Sequence, residues 1–112
     1  MDESVKSQIK SQYPTQKIFP ITSPSDGIEI LVIGAPEAIW VKYQAMARDF
    51  TDTAKRTAAE EMLVRGSMVW PNHEEFHKGL QERHLMGFYQ KAAALVVEIS
   101  GARDDVKLGE AL

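Results

Sequence analysis

"KIFPITSPSDGIEILVI", from Lys17 to Ile33, is the stretch that decides the fold class. Two apolar runs, Ile18-Phe19-Pro20-Ile21 and Ile28-Glu29-Ile30-Leu31-Val32-Ile33, flank Thr22-Ser23-Pro24-Ser25-Asp26-Gly27. The first run reads as an edge strand, because Pro20 has no N–H to give to a ladder. The middle six residues are dense turn chemistry. The second run returns as a mostly apolar strand, so residues 17–33 predict a β-hairpin with a loop of about six residues. A lone hairpin is marginal in water. The rest of the chain must therefore cover it.

Beyond Ile33 the pattern is helical. Gly34-Ala35-Pro36-Glu37 is a helix start, with Pro36 suited to the first helical position and Glu37 to its positive end. Ile39, Trp40, Tyr43, Met46, Ala47 and Phe50 recur at helical spacing and predict a helix over about 36–50. Thr51-Asp52-Thr53 breaks and recaps the chain. An alanine-rich helix comes next, over about 54–65, with Ala54, Ala58, Met62 and Leu63 or Val64 inward. Arg56 with Glu60 and Glu61 with Arg65 are candidate i, i+4 ion pairs on it. Gly66-Ser67 weakens that helix, and Met68-Val69-Trp70 stays apolar up to Pro71. Further helices are expected over about 73–82 and 84–100. The last carries Leu85, Phe88, Tyr89, Ala92, Leu95, Val96 and Ile99 on one face and closes at Gly101. Residues 1–16 read as a polar arm or short helix around Val5 and Ile9, and 102–112 as a flexible C-terminal tail. The fold class is α+β, predominantly helical. An N-terminal β-hairpin precedes a compact bundle of about four helices in a single globular domain, residues 17–101. Trp40 and Trp70 read as core residues, with anchoring of a partner as their other role.

Composition narrows the function classes. A chain of 112 residues makes one domain, and 44% hydrophobic residues make it globular. Thirteen basic residues against sixteen acidic give a net charge of −3 with no basic stripe, which argues against nucleic-acid binding. The absence of cysteine excludes disulfides, thiolate metal sites and cysteine nucleophiles. The N-terminal MDESVKSQIKSQ is polar, unlike a signal peptide, and no apolar run is long enough to span a membrane. A cytoplasmic protein is expected.

One catalytic string needs a decision. His73-Glu74-Glu75-Phe76-His77 matches H-E-x-x-H, in which two histidines one helical turn apart bind zinc and the glutamate positions a metal-bound water. A third ligand must come from elsewhere, and His84 or Glu98 are the candidates. The same residues also form a helix start. Asn72 is a strong N-cap and Glu75 stands three positions later, so Asn72 and Glu75 make a capping box, with Pro71 and Phe76 at the staple positions. That places His73 at the first helical turn, whereas zinc hydrolases carry the motif in mid-helix. Capping is the preferred reading. No other nucleophile, phosphate-loop or dinucleotide motif occurs. No catalytic, cofactor-binding or metal residue is therefore assigned, no cofactor is expected, and the chain reads as non-enzymatic. The enzymatic alternative is a small zinc-dependent hydrolase using His73, Glu74 and His77.

The strings Glu61-Met62-Leu63-Val64-Arg65, Met68-Val69-Trp70-Pro71 and Glu75-Phe76, with a last helix ending Val97-Glu98-Ile99-Ser100-Gly101, resemble small tail assembly chaperones of long-tailed bacteriophages and prophages. In that family a hairpin leads into a proline-started helix, as at Gly34-Ala35-Pro36-Glu37, and the likeness covers about residues 17–101. The family often starts its last helix with Pro-Gly, where this chain has Arg83-His84-Leu85-Met86-Gly87. The resemblance implies a non-enzymatic chaperone of virion morphogenesis, working in the host cytoplasm. Its implied partners are the tape-measure protein, which it shields, and tail-tube subunits, with self-association along the way. A host or prophage interaction module of unrelated role is the blander alternative.

Overall fold

The computed structural model describes residues 3–48, 51–101 and 109–111. Its elements run α1 (Glu3–Gln12), β1 (Phe19–Ser23), a 3-10 turn (Pro24–Asp26), β2 (Ile28–Val32), α2 (Glu37–Ala47), α3 (Thr53–Ser67), β3 (Met68–Trp70), α4 (His73–Glu82) and α5 (Phe88–Ser100). The fold is α+β and mainly helical, with a hairpin where one was expected, its loop being the four residues 24–27 rather than about six. β1 and β2 pair antiparallel from Phe19 opposite Val32 to Ser23 opposite Ile28. Gly27 closes the turn at φ 66°, a left-handed conformation that suits glycine. Ser23 Oγ donates to Asp26 Oδ2 at 2.7 Å across the same turn.

A third strand was not expected. Met68–Trp70 leaves the end of α3 and pairs antiparallel with β2, Leu31 opposite Trp70 and Val32 opposite Met68, with an irregularity between. The sheet order is β1-β2-β3, so β2 is central. This explains its apolar sequence. Ile28, Ile30 and Val32 enter the main core with Ile21, while Leu31 and Ile33 on the alternate face are buried too. Pro20, Leu31 and Trp70 form one lateral row on that second face. α1 forms a ten-residue helix whose Ile9 is buried, resolving the arm-or-helix expectation for residues 1–16.

On the main face the core joins Leu63 and Val64 of α3, Leu80 of α4, and Tyr89, Ala92, Ala93 and Val96 of α5. α3 packs against both α2 and α5. Its inward stripe is Ala59, Leu63, Val64 and Ser67, while Ala54 and Ala58 are exposed. The expected face was therefore rotated by about one residue. Alanine carries little hydrophobic contrast, so the neighbours, not the pattern, set the orientation. α3 also runs straight through Gly66 to Ser67. Leu95 of α5, expected inside, is 46% exposed. Trp40 lies half-buried against the core. Phe50 and most of the expected tail, 102–108 and 112, lie outside the described residues.

The junction of α4 and α5 corrects a helix boundary. The expected helix over 84–100 begins only at Phe88. α4 ends in a Schellman arrangement: the Leu85 N–H donates to the Leu80 carbonyl at 2.9 Å and the His84 N–H to the Gln81 carbonyl at 3.3 Å. His84 occupies the left-handed position at φ 58°, where glycine is usual. A side chain there costs about 1–2 kcal/mol. His84→Gly is therefore expected to raise the unfolding free energy by about 1 kcal/mol and the Tm by roughly 4 °C. Urea unfolding measures this, and lowered stability would show that the imidazole itself holds the turn.

Candidate functional site

The start of α4 is where the sequence pointed. The Asn72 side-chain oxygen accepts the backbone N–H of Glu74 at 3.0 Å and of Glu75 at 3.2 Å. Asn72 thus caps the helix as expected. The reciprocal half of the box, from the Asn72 N–H to the Glu75 carboxylate, is not formed among the described residues. Phe76 packs edge-on against Phe88 at 5.6 Å and Tyr89 at 6.4 Å between ring centroids. These rings seat α4 on α5.

The two histidines enter different environments. Arg65 Nε donates to His73 Nδ1 at 3.2 Å. His77 Nδ1 lies 2.9 Å from the Tyr89 hydroxyl and 3.3 Å from Glu61 Oε1. Its ring stacks on Tyr89 at 5.7 Å and 28°. Arg65 and Glu61 form the expected i, i+4 pair, at 3.8 Å, whereas Arg56 and Glu60 form no ion pair among the described residues. The cluster Glu61, Arg65, His73, His77 and Tyr89 therefore stitches three helices together. Burial pushes the Tyr89 hydroxyl up to about 12, with Glu61 adding to the rise and Arg65 opposing it. The phenol stays protonated at neutral pH.

Donor and acceptor roles decide what this cluster can do. A carboxylate only accepts, so the 3.3 Å Glu61 contact is favourable in the tautomer with the proton on His77 Nδ1, whereas the Tyr89 hydroxyl at 2.9 Å fits either tautomer. In the first tautomer His77 resembles a metal ligand held by its outer carboxylate. His73 is the opposite case. Its Nδ1 lone pair is taken by Arg65, so the neutral ring carries its proton on Nε2. Glu74 is exposed. The candidate third ligands are elsewhere: His84 at the α4–α5 turn, facing a groove with Ser23, Asp26 and Phe88, and Glu98 beside Lys17 and Pro36. No group of three His, Asp or Glu side chains is placed to hold a metal ion among the described residues.

No protein-family model, no curated protein and no solved structure matches the chain. Among the described residues no helix is long and apolar enough to cross a membrane. Phe19, Val41, Met86 and Leu95 are large apolar side chains left exposed. The least expected element is α2. It is apolar at every position except Glu37, Lys42 and Gln44, yet none of its residues is fully buried, and Val41 is 58% exposed. Its exposed side mixes Glu37, Lys42 and Gln44 with Ala38, Val41 and Ala45, while Ile39, Trp40, Tyr43, Met46 and Ala47 are half-buried. The helix lies on the outside of α3. Helical spacing alone marks that inner stripe. Glu61, Arg65 and Tyr89, by contrast, meet the histidines only through tertiary packing.

Proposed function

We propose that the protein is a non-enzymatic binding protein, a tail assembly chaperone that shields the tape-measure protein in the host cytoplasm and helps recruit tail-tube subunits. The observation that carries the binding part is Val41 on the outward side of α2, 58% exposed with Ala38 and Ala45 also exposed, which gives an apolar partner a foothold without disturbing the core. The family part rests on the sequence resemblance. On this reading the four helices after the hairpin work as one compact bundle, and self-association extends the coat along the partner. The occupied lone pair of His73 supports a structural use of the histidine pair.

Co-expression with the long helical tape-measure protein of the same genome tests the reading. Expected is a soluble tape-measure protein that elutes with this chain on gel filtration, and loss of that solubility with Val41→Asp. Insoluble tape-measure protein in the presence of wild-type chain would refute the chaperone. Equimolar zinc retained through purification and lost on His77→Ala would instead establish the hydrolase alternative.

A further inference from the structure

We infer that the outward crest of α5 is an interface at which a second copy of this chain packs its own α5, antiparallel, across a two-fold axis beside Leu95. Leu95 is 46% exposed and is the one large apolar side chain that α5 leaves outside. Ala94 beside it is exposed, as are Lys91 and Glu98. Helical period puts these four residues on one side of α5. That side is flanked along the whole helix by hollows between α5 and β1. One, of about 410 Å³, is bordered by Ile21, Phe88, Lys91 and Leu95. The next, of about 850 Å³, is bordered by Phe19, Glu98 and Ser100. A second α5 laid there as a ridge in a groove covers Leu95 and the exposed Phe19 together. The surface is separate from Val41 of α2 and goes beyond the binding-protein reading, whose self-association it provides with a contact.

Two arguments select a second copy. The first is charge. Lys91 and Glu98 have no ion-pair partner among the described residues, although Lys17 borders the same hollow as Glu98. They lie about 10 Å apart along the helix axis and do not meet each other. Both also oppose the helix dipole, the base standing near the N-terminus of α5 and the acid in its last turn. Local helix chemistry therefore does not account for them. An antiparallel copy does, because each copy's Lys91 meets the other copy's Glu98. The second argument is position. Ala94 and Leu95 stand midway between Lys91 and Glu98. The register that closes both ion pairs therefore also sets each copy's Leu95 on the other's Ala94, a large side chain against a small one. Charges and apolar centre thus share one two-fold axis. An isologous pair requires that coincidence, and a foreign partner does not. One helix pair with Phe19 at its flank is at the small end of specific interfaces, so the dimer is a reversible one.

Sedimentation equilibrium of the full chain, from micromolar to millimolar loading, tests the pairing. Wild type is expected to move toward twice the 12.6 kDa chain mass as concentration rises. Leu95→Asp is expected to stay monomeric throughout. Lys91→Glu and Glu98→Lys each turn two attractions into two repulsions, and each should raise the dissociation constant about tenfold. The double variant carrying both Lys91→Glu and Glu98→Lys should associate nearly as wild type does, since opposite charges meet again. All three positions are exposed, so the fold survives these changes, and an unchanged circular-dichroism spectrum verifies it. A wild type monomeric at every concentration, a dimer indifferent to Leu95→Asp, or a double swap as weak as the single ones would each overturn the pairing. The co-expression assay keeps the two proposals apart. A monomeric wild type that still holds the tape-measure protein in solution removes the α5 pair and leaves the chaperone. Association that follows the swaps, with the tape-measure protein insoluble, removes the chaperone and leaves the pair.

Discussion

Tyr89→Ala is expected to lower the unfolding free energy by about 3–5 kcal/mol, the cost of truncating a buried aromatic ring. Tyr89 is 3% exposed and belongs to the main core cluster. Its loss removes the stacking partner of His77 and one of the two rings on which Phe76 rests. Tyr89→Phe separates packing from polarity. The ring stays, His77 Nδ1 keeps Glu61 at 3.3 Å, and the expected cost falls to about 1 kcal/mol. Its signature is the pH dependence. The folded phenol holds its proton up to about pH 12, whereas an unfolded tyrosine releases it near 10. A raised folded value stabilises fully below pH 10, and that contribution is lost as pH climbs from 10 through 12. Wild-type stability should therefore fall over that window more steeply than the stability of Tyr89→Phe. Urea unfolding from pH 8 to 12 measures both, and identical alkaline slopes would refute the burial of the hydroxyl.

The cluster also marks where sequence reading runs out. The Asn72 cap was legible because its donor and acceptor groups lie within three residues, and the Glu61–Arg65 pair because helical period alone brings them together. His73 and His77 looked like one site for the same reason: four residues on a helix share a face. What separates them arrives from other elements. Arg65 of α3 occupies one imidazole, and Glu61 of α3 with Tyr89 of α5 the other. No local pattern encodes that division.

The fold divides along a similar line. The hairpin was readable because turn residues and alternating exposure are local properties of residues 17–33. β3 was not, because Met68-Val69-Trp70 is too short to show a period and its partners, Leu31 and Val32, lie far back in the chain. The buried second face of β2 was the available hint. A strand apolar at Ile30, Leu31, Val32 and Ile33 is apolar on both sides, as a central strand is, and a central strand needs a neighbour on each edge. The boundary missed at Phe88 has another cause. His84 holds a conformation that its residue type disfavours, so the signal expected there, a glycine, is absent.

Gly66→Val is expected to cost about 2–3 kcal/mol, although the substitution leaves a weak helix former for a better one. Gly66 lies inside α3 and looked like a helix breaker, yet its position is a spacing device. A Cβ built there meets three atoms of Ile39 on α2, Cδ1 at 2.8 Å, Cγ1 at 2.9 Å and Cγ2 at 3.0 Å. Two of these are next to the branch point, so no rotation of the tip relieves the clash, and α2 must move away from α3. The sharper form of the test is a change of sign. Gly66→Ala alone should destabilise by about 1 kcal/mol, because overpacking outweighs the gain in helix propensity of up to about 1 kcal/mol. Ile39→Ala deletes all three obstructing atoms. In that background Gly66→Ala should become stabilising by up to about 1 kcal/mol, and the double-mutant cycle should return a coupling of about 2 kcal/mol. Additive effects would mean that α2 does not rest on α3 through Gly66. Since α2 carries the exposed Val41, Gly66→Val should also reduce binding to any partner seated on that side of α2, beyond its effect on stability.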